Sequence, residues 1–163
     1  MKKIGIVMGS DSDLPVIQKA VDVLKELEIP YEVHIYSAHR TPEEARALAV
    51  GAREAGFGVL IAAAGMAAHL AGAIAANTTL PVIGIPCKGP VFDGMDALLS
   101  TVQMPTGIPV ATVAVNAGGN AALLAAQILA VADEDIRKKL DSKRAADAKK
   151  VLEKDAGVME KLS

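Results

Sequence analysis

Apolar and polar positions alternate along the chain in one repeating unit: a short unbroken apolar run, a polar loop, then an amphipathic stretch. Residues 4–8, Ile-Gly-Ile-Val-Met, form the first run, the mark of a strand covered on both faces. The loop Gly9-Ser10-Asp11-Ser12-Asp13 follows, and apolar residues at 14, 17, 20/21, 24 and 27 predict a helix over 14–27. Pro15 suits its first turn, Ser12 or Asp13 would cap it, and Pro30 stops it. Residues 31–36 read as a second strand. Thr41-Pro42-Glu43-Glu44 is a helix start, with a capping residue, Pro at the first position and acids at the positive dipole end; that helix ends before Gly56.

The unit recurs to the end of the core. Strands are expected at 59–63, 82–85 and 110–115, and helices at 67–76, 95–104 and 120–131, with a Gly- and Pro-bearing loop over 87–94. From Asp133 onward Ile136, Leu140, Ala148, Val151 and Leu152 fall on one stripe of an otherwise charged helix, which should lie over a surface, a neighbouring subunit's included. Strands alternating with helices predict an α/β domain, a parallel sheet with helices on both faces. One domain fits residues 1–163, with its core at about 3–132 and the charged helix at about 133–163. Ala and Gly dominate the helices after the third and fifth strands, so those helices should pack closely.

Composition narrows the functional classes. A net charge of −2 supplies no electrostatic footprint for nucleic acid or an anionic membrane. With no Trp, 2 Phe and 2 Tyr, stacking platforms for bases or a flavin are scarce. The single Cys87 can form neither an internal disulfide nor a multi-thiolate zinc site, consistent with the reducing cytoplasm. No signal core opens the chain, because the apolar run at 4–8 is too short. Residues 59–76 are uncharged, yet they are mostly Ala and Gly with His69 at their centre, so a strand and a buried helix are expected there, not a membrane span. Residues 133–163 hold 17 of the 36 charged side chains. So few charges on the remainder cannot cover a monomer's surface, which predicts self-association.

In open α/β sheets ligands bind beyond the carboxyl ends of the strands, so the loops after the strands carry the candidate chemistry. Ser10, Ser12 and Asp13 exceed what one helix cap needs; the serines and free N–H groups suit an anion, and the aspartate suits ribose hydroxyls. Ser37-Ala38-His39-Arg40 sits between a strand and a helix start, where a guanidinium can meet a phosphate bidentately. His39 is the best general acid/base, because imidazole takes and returns a proton near neutral pH. His69, after Gly65 and Met66, is a second candidate or a buried structural histidine, and His34 has no role. The histidines lack metal-ligand spacing, so no metal is expected. A dinucleotide fingerprint, a receiver-type aspartate on the third strand and a G-x-S-x-G nucleophile are all missing from the sequence.

Five segments together, Gly9-Ser10-Asp11-Ser12-Asp13, Ser37-Ala38-His39-Arg40-Thr41-Pro42, Ala67-Ala68-His69-Leu70, residues 102–110 and residues 120–126, resemble the PurE family of purine biosynthesis over residues 4–131. The resemblance implies a flavodoxin-like three-layer sandwich. It also implies interconversion of N5-carboxyaminoimidazole ribonucleotide and 4-carboxy-5-aminoimidazole ribonucleotide, without cofactor or metal. Arg40 and Ala67-Ala68-His69-Leu70 look like the mutase branch; the alternatives are direct carboxylation of aminoimidazole ribonucleotide by CO2, or a non-catalytic nucleotide-binding module in which His39 merely packs. Carried over, the pattern makes His39 catalytic and Ser10, Ser12, Asp13, Ser37, Arg40, Gly65 and His69 substrate-binding, with Ala64 to Ala68 as a wall retaining CO2. It implies a homo-octamer with sites near subunit contacts, and a transient contact with the synthetase that makes the N5-carboxylated substrate. Met66 stands where the family usually has a second Gly, Ala71 where it has Pro, and the 87–94 loop is atypical.

Overall fold

The computed structural model describes residues 1–162. Five strands, β1 (Lys3–Met8), β2 (Tyr31–Ile35), β3 (Phe57–Gly65), β4 (Val82–Cys87) and β5 (Ala111–Thr112), pair in the order β2-β1-β3-β4-β5, every pair parallel. Between and after them lie α1 (Leu14–Glu26), α2 (Pro42–Gly51), α3 (Leu70–Ala75), α4 (Met95–Val102), α5 (Gly118–Ala130), α6 (Glu134–Ala156) and α7 (Val158–Leu162). This is the flavodoxin-like three-layer arrangement, and its order reverses between β1 and β3, the switch point where such sheets bind ligands.

Two cores follow from the period of two along each strand. Ile4, Ile6, Val59, Ile61, Ile83 and Ile85 point to the face covered by α1 and α5, whereas Val7, Leu60, Ala62 and Val82 point to the face covered by α2 and α3. Because β1, β3 and β4 are covered twice, each reads as an unbroken apolar run; β2 lies at the edge and leaves Val33 and Ile35 exposed. The expected elements are all present, with shifted ends. β3 extends to Gly65 and β4 to Cys87, while α3 begins only at Leu70 and β5 is two residues long.

Capping differs from the sequence expectation. Asp13 stands at the N-cap of α1, but neither its side chain nor that of Ser12 makes a capping bond: residues Asp11–Asp13 form a 3-10 turn, and Ser10 caps that turn by accepting from the Ser12 N–H at 3.3 Å. Thr41 does not cap α2 either, because its hydroxyl is taken by Ser37. Asp133 does cap α6, accepting from Ile136 N–H at 3.2 Å.

The charged tail meets the domain through its first turns only. Ile136 is fully buried and Leu140 packs on the core, and Lys139 and Lys143 reach back to the C-terminal end of α1. Lys139 donates to Leu27 O at 3.0 Å and pairs with Glu28, and Lys143 pairs with Glu26 at 3.0 Å; cations there also suit the helix dipole. Val151 and Leu152, further along the predicted stripe, stay exposed. Among the described residues no helix is long and apolar enough to cross a membrane; residues 59–76 are instead β3, its loop and α3.

Candidate active site

A cleft of about 560 Å³ opens at the carboxyl ends of β1 to β4, within the range usual for small-molecule sites. All eight residues singled out from the sequence line it: Ser10, Ser12, Asp13, Ser37, His39, Arg40, Gly65 and His69. The switch point gathers them, since β2, β1 and β3 are neighbours and each ends at the same edge.

The loop after β2 is tied to itself. Ser37 Oγ accepts from the backbone N–H of His39 (3.3 Å) and of Arg40 (3.2 Å), and Ser37 N–H donates to Thr41 Oγ1 at 2.8 Å. These bonds hold the backbone under His39 in one conformation without using its ring. Arg40 crosses to the neighbouring loop, donating from Nη2 to Gly9 O at 3.0 Å. One arm of the guanidinium therefore braces the site.

His39 and His69 come from loops 30 residues apart in sequence, yet His39 Nε2 lies 2.7 Å from His69 Nδ1, with the rings edge to face. This pairing was not legible in the chain order. One of the two nitrogens must carry a hydrogen and the other a lone pair, so the bond survives with the pair neutral or singly charged and breaks when both rings are protonated. A proton placed on either ring has a route to the other. His69 is thus exposed on the cleft wall and not buried as a structural histidine. His34, given no role, stacks on Tyr36 on the edge strand, away from the cleft.

The loop after β3 is set by Ser100 on α4, whose Oγ accepts from Ala68 N–H at 3.1 Å and lies 3.3 Å from Met66 O. Met66 has φ 54°, a left-handed conformation that costs a side-chain-bearing residue about 1 kcal/mol or more. That is the physical reason a glycine suits this position, and Met66 instead leans over the cleft towards Gly89. Ala71 occupies the first turn of α3, where a proline would cost little because the N–H donor it lacks has no intrahelical partner there.

Asp13 is half-buried, and this desolvation raises its carboxyl above the ordinary range, opposed by the Cys87 thiol and the Ser10 backbone. Burial, then the neighbouring Asp13 carboxylate, pushes the Cys87 thiol up to about 12, so it is neutral at physiological pH and no nucleophile. Because folded Asp13 holds its proton to higher pH than the unfolded chain, its contribution to stability falls as pH rises from about 3.8 through the raised value. Asp13→Asn is therefore expected to raise Tm at pH 7 and to leave it nearly unchanged near pH 3. Thermal denaturation at the two pH values checks this; a lower Tm at pH 7 would mean that the carboxylate stabilises the fold.

Lys88, which also lines the cleft, had no role from the sequence. Its only signal was position, directly after β4. Among the described residues no group of three or more His, Cys, Asp or Glu side chains converges as metal ligands do.

A parallel sheet with this strand order, and a cleft holding a guanidinium, hydroxyls and paired imidazoles at its switch point, define a flavodoxin-like α/β protein with a cavity of small-molecule size. Residues 3–150 match the family model described as AIR carboxylase, and the chain belongs to that family. It is 52% identical over 159 residues to the N5-carboxyaminoimidazole ribonucleotide mutase of Pyrococcus horikoshii, covering 98% of this chain and 89% of that one. It is 53% identical over 152 residues to the protein of the same name from Bacillus subtilis, covering 92% and 94%. The phosphoribosylaminoimidazole carboxylase of Saccharomyces cerevisiae is 54% identical over 138 residues, 85% of this chain but 24% of that longer protein. Among solved structures, that of Treponema denticola PurE superposes with a TM-score of 0.83 at 33% identity, covering 95% of this chain and 97% of that one.

Proposed function

We infer that this chain is an isomerase of purine biosynthesis that interconverts N5-carboxyaminoimidazole ribonucleotide and 4-carboxy-5-aminoimidazole ribonucleotide. The observation that carries this reading is about 50% identity, over nearly the full length of both chains, to proteins named for that reaction. The cleft supports it independently with a paired-imidazole proton site beside donors for an anionic nucleotide.

In the proposed mechanism, Ser10, Ser12, Ser37 and Arg40 receive the nucleotide, Asp13 accepts from ribose hydroxyls, and Gly65 leaves room at the wall facing the base. The N5 carbamate loses CO2 while its nitrogen takes up a proton, which leaves an electron-rich ring. C4 then attacks the same CO2, giving an intermediate with both hydrogen and carboxylate on C4. His39 removes that hydrogen as a proton and restores the aromatic ring. One proton is taken up at nitrogen and one is released at carbon, so the reaction is balanced with no added reagent. His39 serves as acid and base in turn, and His69 holds the ring that exchanges the proton. Proximity supplies the rest, since CO2 lost from the cleft is lost to the reaction.

That last requirement supports self-association. His39, Met66, Ala67 and His69 are exposed in a single chain, so one copy alone does not enclose a gas. Beside the cleft Phe92, Met95, Leu99 and Val102 are exposed, and the last three share one face of α4 at i, i+4 and i+7. We read this apolar face as an interface between copies, in keeping with an octamer. Transient contact with the synthetase that supplies the labile carbamate, and work in the cytoplasm, complete the reading.

The test is an assay with N5-carboxylated ribonucleotide in bicarbonate-free buffer, with the carboxyl group isotopically labelled. Conversion with the label kept in the 4-carboxy product is expected. Turnover of uncarboxylated ribonucleotide plus CO2, with no conversion of the carbamate, would move the chain to the carboxylase activity for which the yeast relative is named. Binding without turnover would make it a non-catalytic module.

A further inference from the structure

The 87–94 loop brings a second cation to the cleft. Lys88 lies on the β4 wall and Arg40 on the β2 wall, with the ends of β1 and β3 between them. The backbone of Lys88 is anchored: its N–H donates to Asn116 Oδ1 at 2.9 Å, and Asn116 N–H donates to Pro86 O at 2.9 Å. Its ammonium group is paired with the Asp93 carboxylate at 2.6 Å, and both side chains are more than half exposed.

Asp93 reaches this position through an unfavourable turn. It has φ 54° and is followed by Gly94 at φ 94°, two successive left-handed residues that fold the loop back on Lys88. An exposed ion pair stabilises a fold little, so stability does not account for the arrangement. Arg40, the other cation, already donates from one arm to Gly9 O. The proposed substrate carries a phosphate and a carboxylate, more negative charge than the remaining arm of Arg40 can match.

We propose that Lys88 is a further substrate-binding residue: its ammonium leaves Asp93 for an anionic oxygen of the bound ribonucleotide, and Asp93 is the internal ligand that it gives up. This rests on the function proposed above. The two residues then have opposite effects on binding, which a merely structural pair would not. Lys88→Met removes a charge-assisted hydrogen bond and is expected to raise Kd about tenfold or more. Asp93→Asn removes the competitor and is expected to lower Kd about two- to fivefold, the strength of an exposed ion pair.

The experiment is calorimetric titration of the wild-type, Lys88→Met and Asp93→Asn proteins with 5-aminoimidazole ribonucleotide and with its 4-carboxy derivative. Weakening of both ligands by Lys88→Met assigns the ammonium to the phosphate, and weakening of the carboxylated ligand alone assigns it to the carboxylate. Unchanged affinity for both, or weaker binding by Asp93→Asn, overturns the proposal. Failure of the wild-type protein to bind either nucleotide would instead sink the proposed function, so the two failures are separable.

Discussion

His39→Asn is expected to fold, assemble and bind the ribonucleotide, yet to lose turnover by about 10²- to 10⁴-fold, the range that a positioned acid/base contributes. Asn retains a polar side chain near His69 but has no nitrogen that takes up and returns a proton near neutral pH. The backbone around it should hold, because Ser37 and Thr41 fix the loop through main-chain groups and not through the ring. The measurement is kcat on the 4-carboxy ribonucleotide beside Kd by titration. Loss of kcat with Kd nearly kept is the expected split. Near-normal turnover would take proton transfer away from residue 39. His69→Asn, which leaves the His39 ring without its partner, should cost less, about tenfold, because the group that meets C4 remains.

The second large effect concerns the scaffold. Gly118→Ala is expected to destabilise the fold by about 3 kcal/mol or more, at the upper end of what overpacking costs. A Cβ at residue 118 would lie 2.0 Å from the backbone oxygen of Val16 and 3.0 Å from its carbonyl carbon. A backbone atom cannot turn aside as a flexible side chain can, so α1 and α5 would have to separate. Those helices cover one whole face of the sheet, and Asp13, on the cleft wall, immediately precedes α1. Tm should fall by about 6–12 °C for a chain of this length. Gly119→Ala, one residue on, meets only Val23 Cγ2 at 3.8 Å and Lys19 O at 3.9 Å, an ordinary contact, and should change stability by less than about 1 kcal/mol. Equal melting of the two variants would show that the helices yield at residue 118.

Local chemistry carried most of the architecture. The double-sided apolar runs at β1, β3 and β4, Pro42 at the start of α2 and Asp133 before α6 act within a few residues of themselves, so one chain suffices to read them. The element ends that moved are those set by neighbours. β3 and β4 extend each other to Gly65 and Cys87 by mutual pairing, and Thr41 gives up its capping role to Ser37 across a loop. The apolar stripe of α6 follows the sequence, but the underlying surface reaches only as far as Leu140.

From the amino-acid order alone came a parallel α/β sheet, the polar loops at its carboxyl edge and the residue types fitted for an anionic nucleotide and a proton transfer. Only the tertiary structure decided which of those groups touch. The 2.7 Å meeting of His39 with His69, the bracing of Arg40 on Gly9 and the pairing of Lys88 with Asp93 depend on which strands lie side by side and where each loop turns. Hydrophobic period is a property of a segment and survives in one dimension. Contact between distant side chains is set by strand order and backbone handedness, which exist only once the chain has folded.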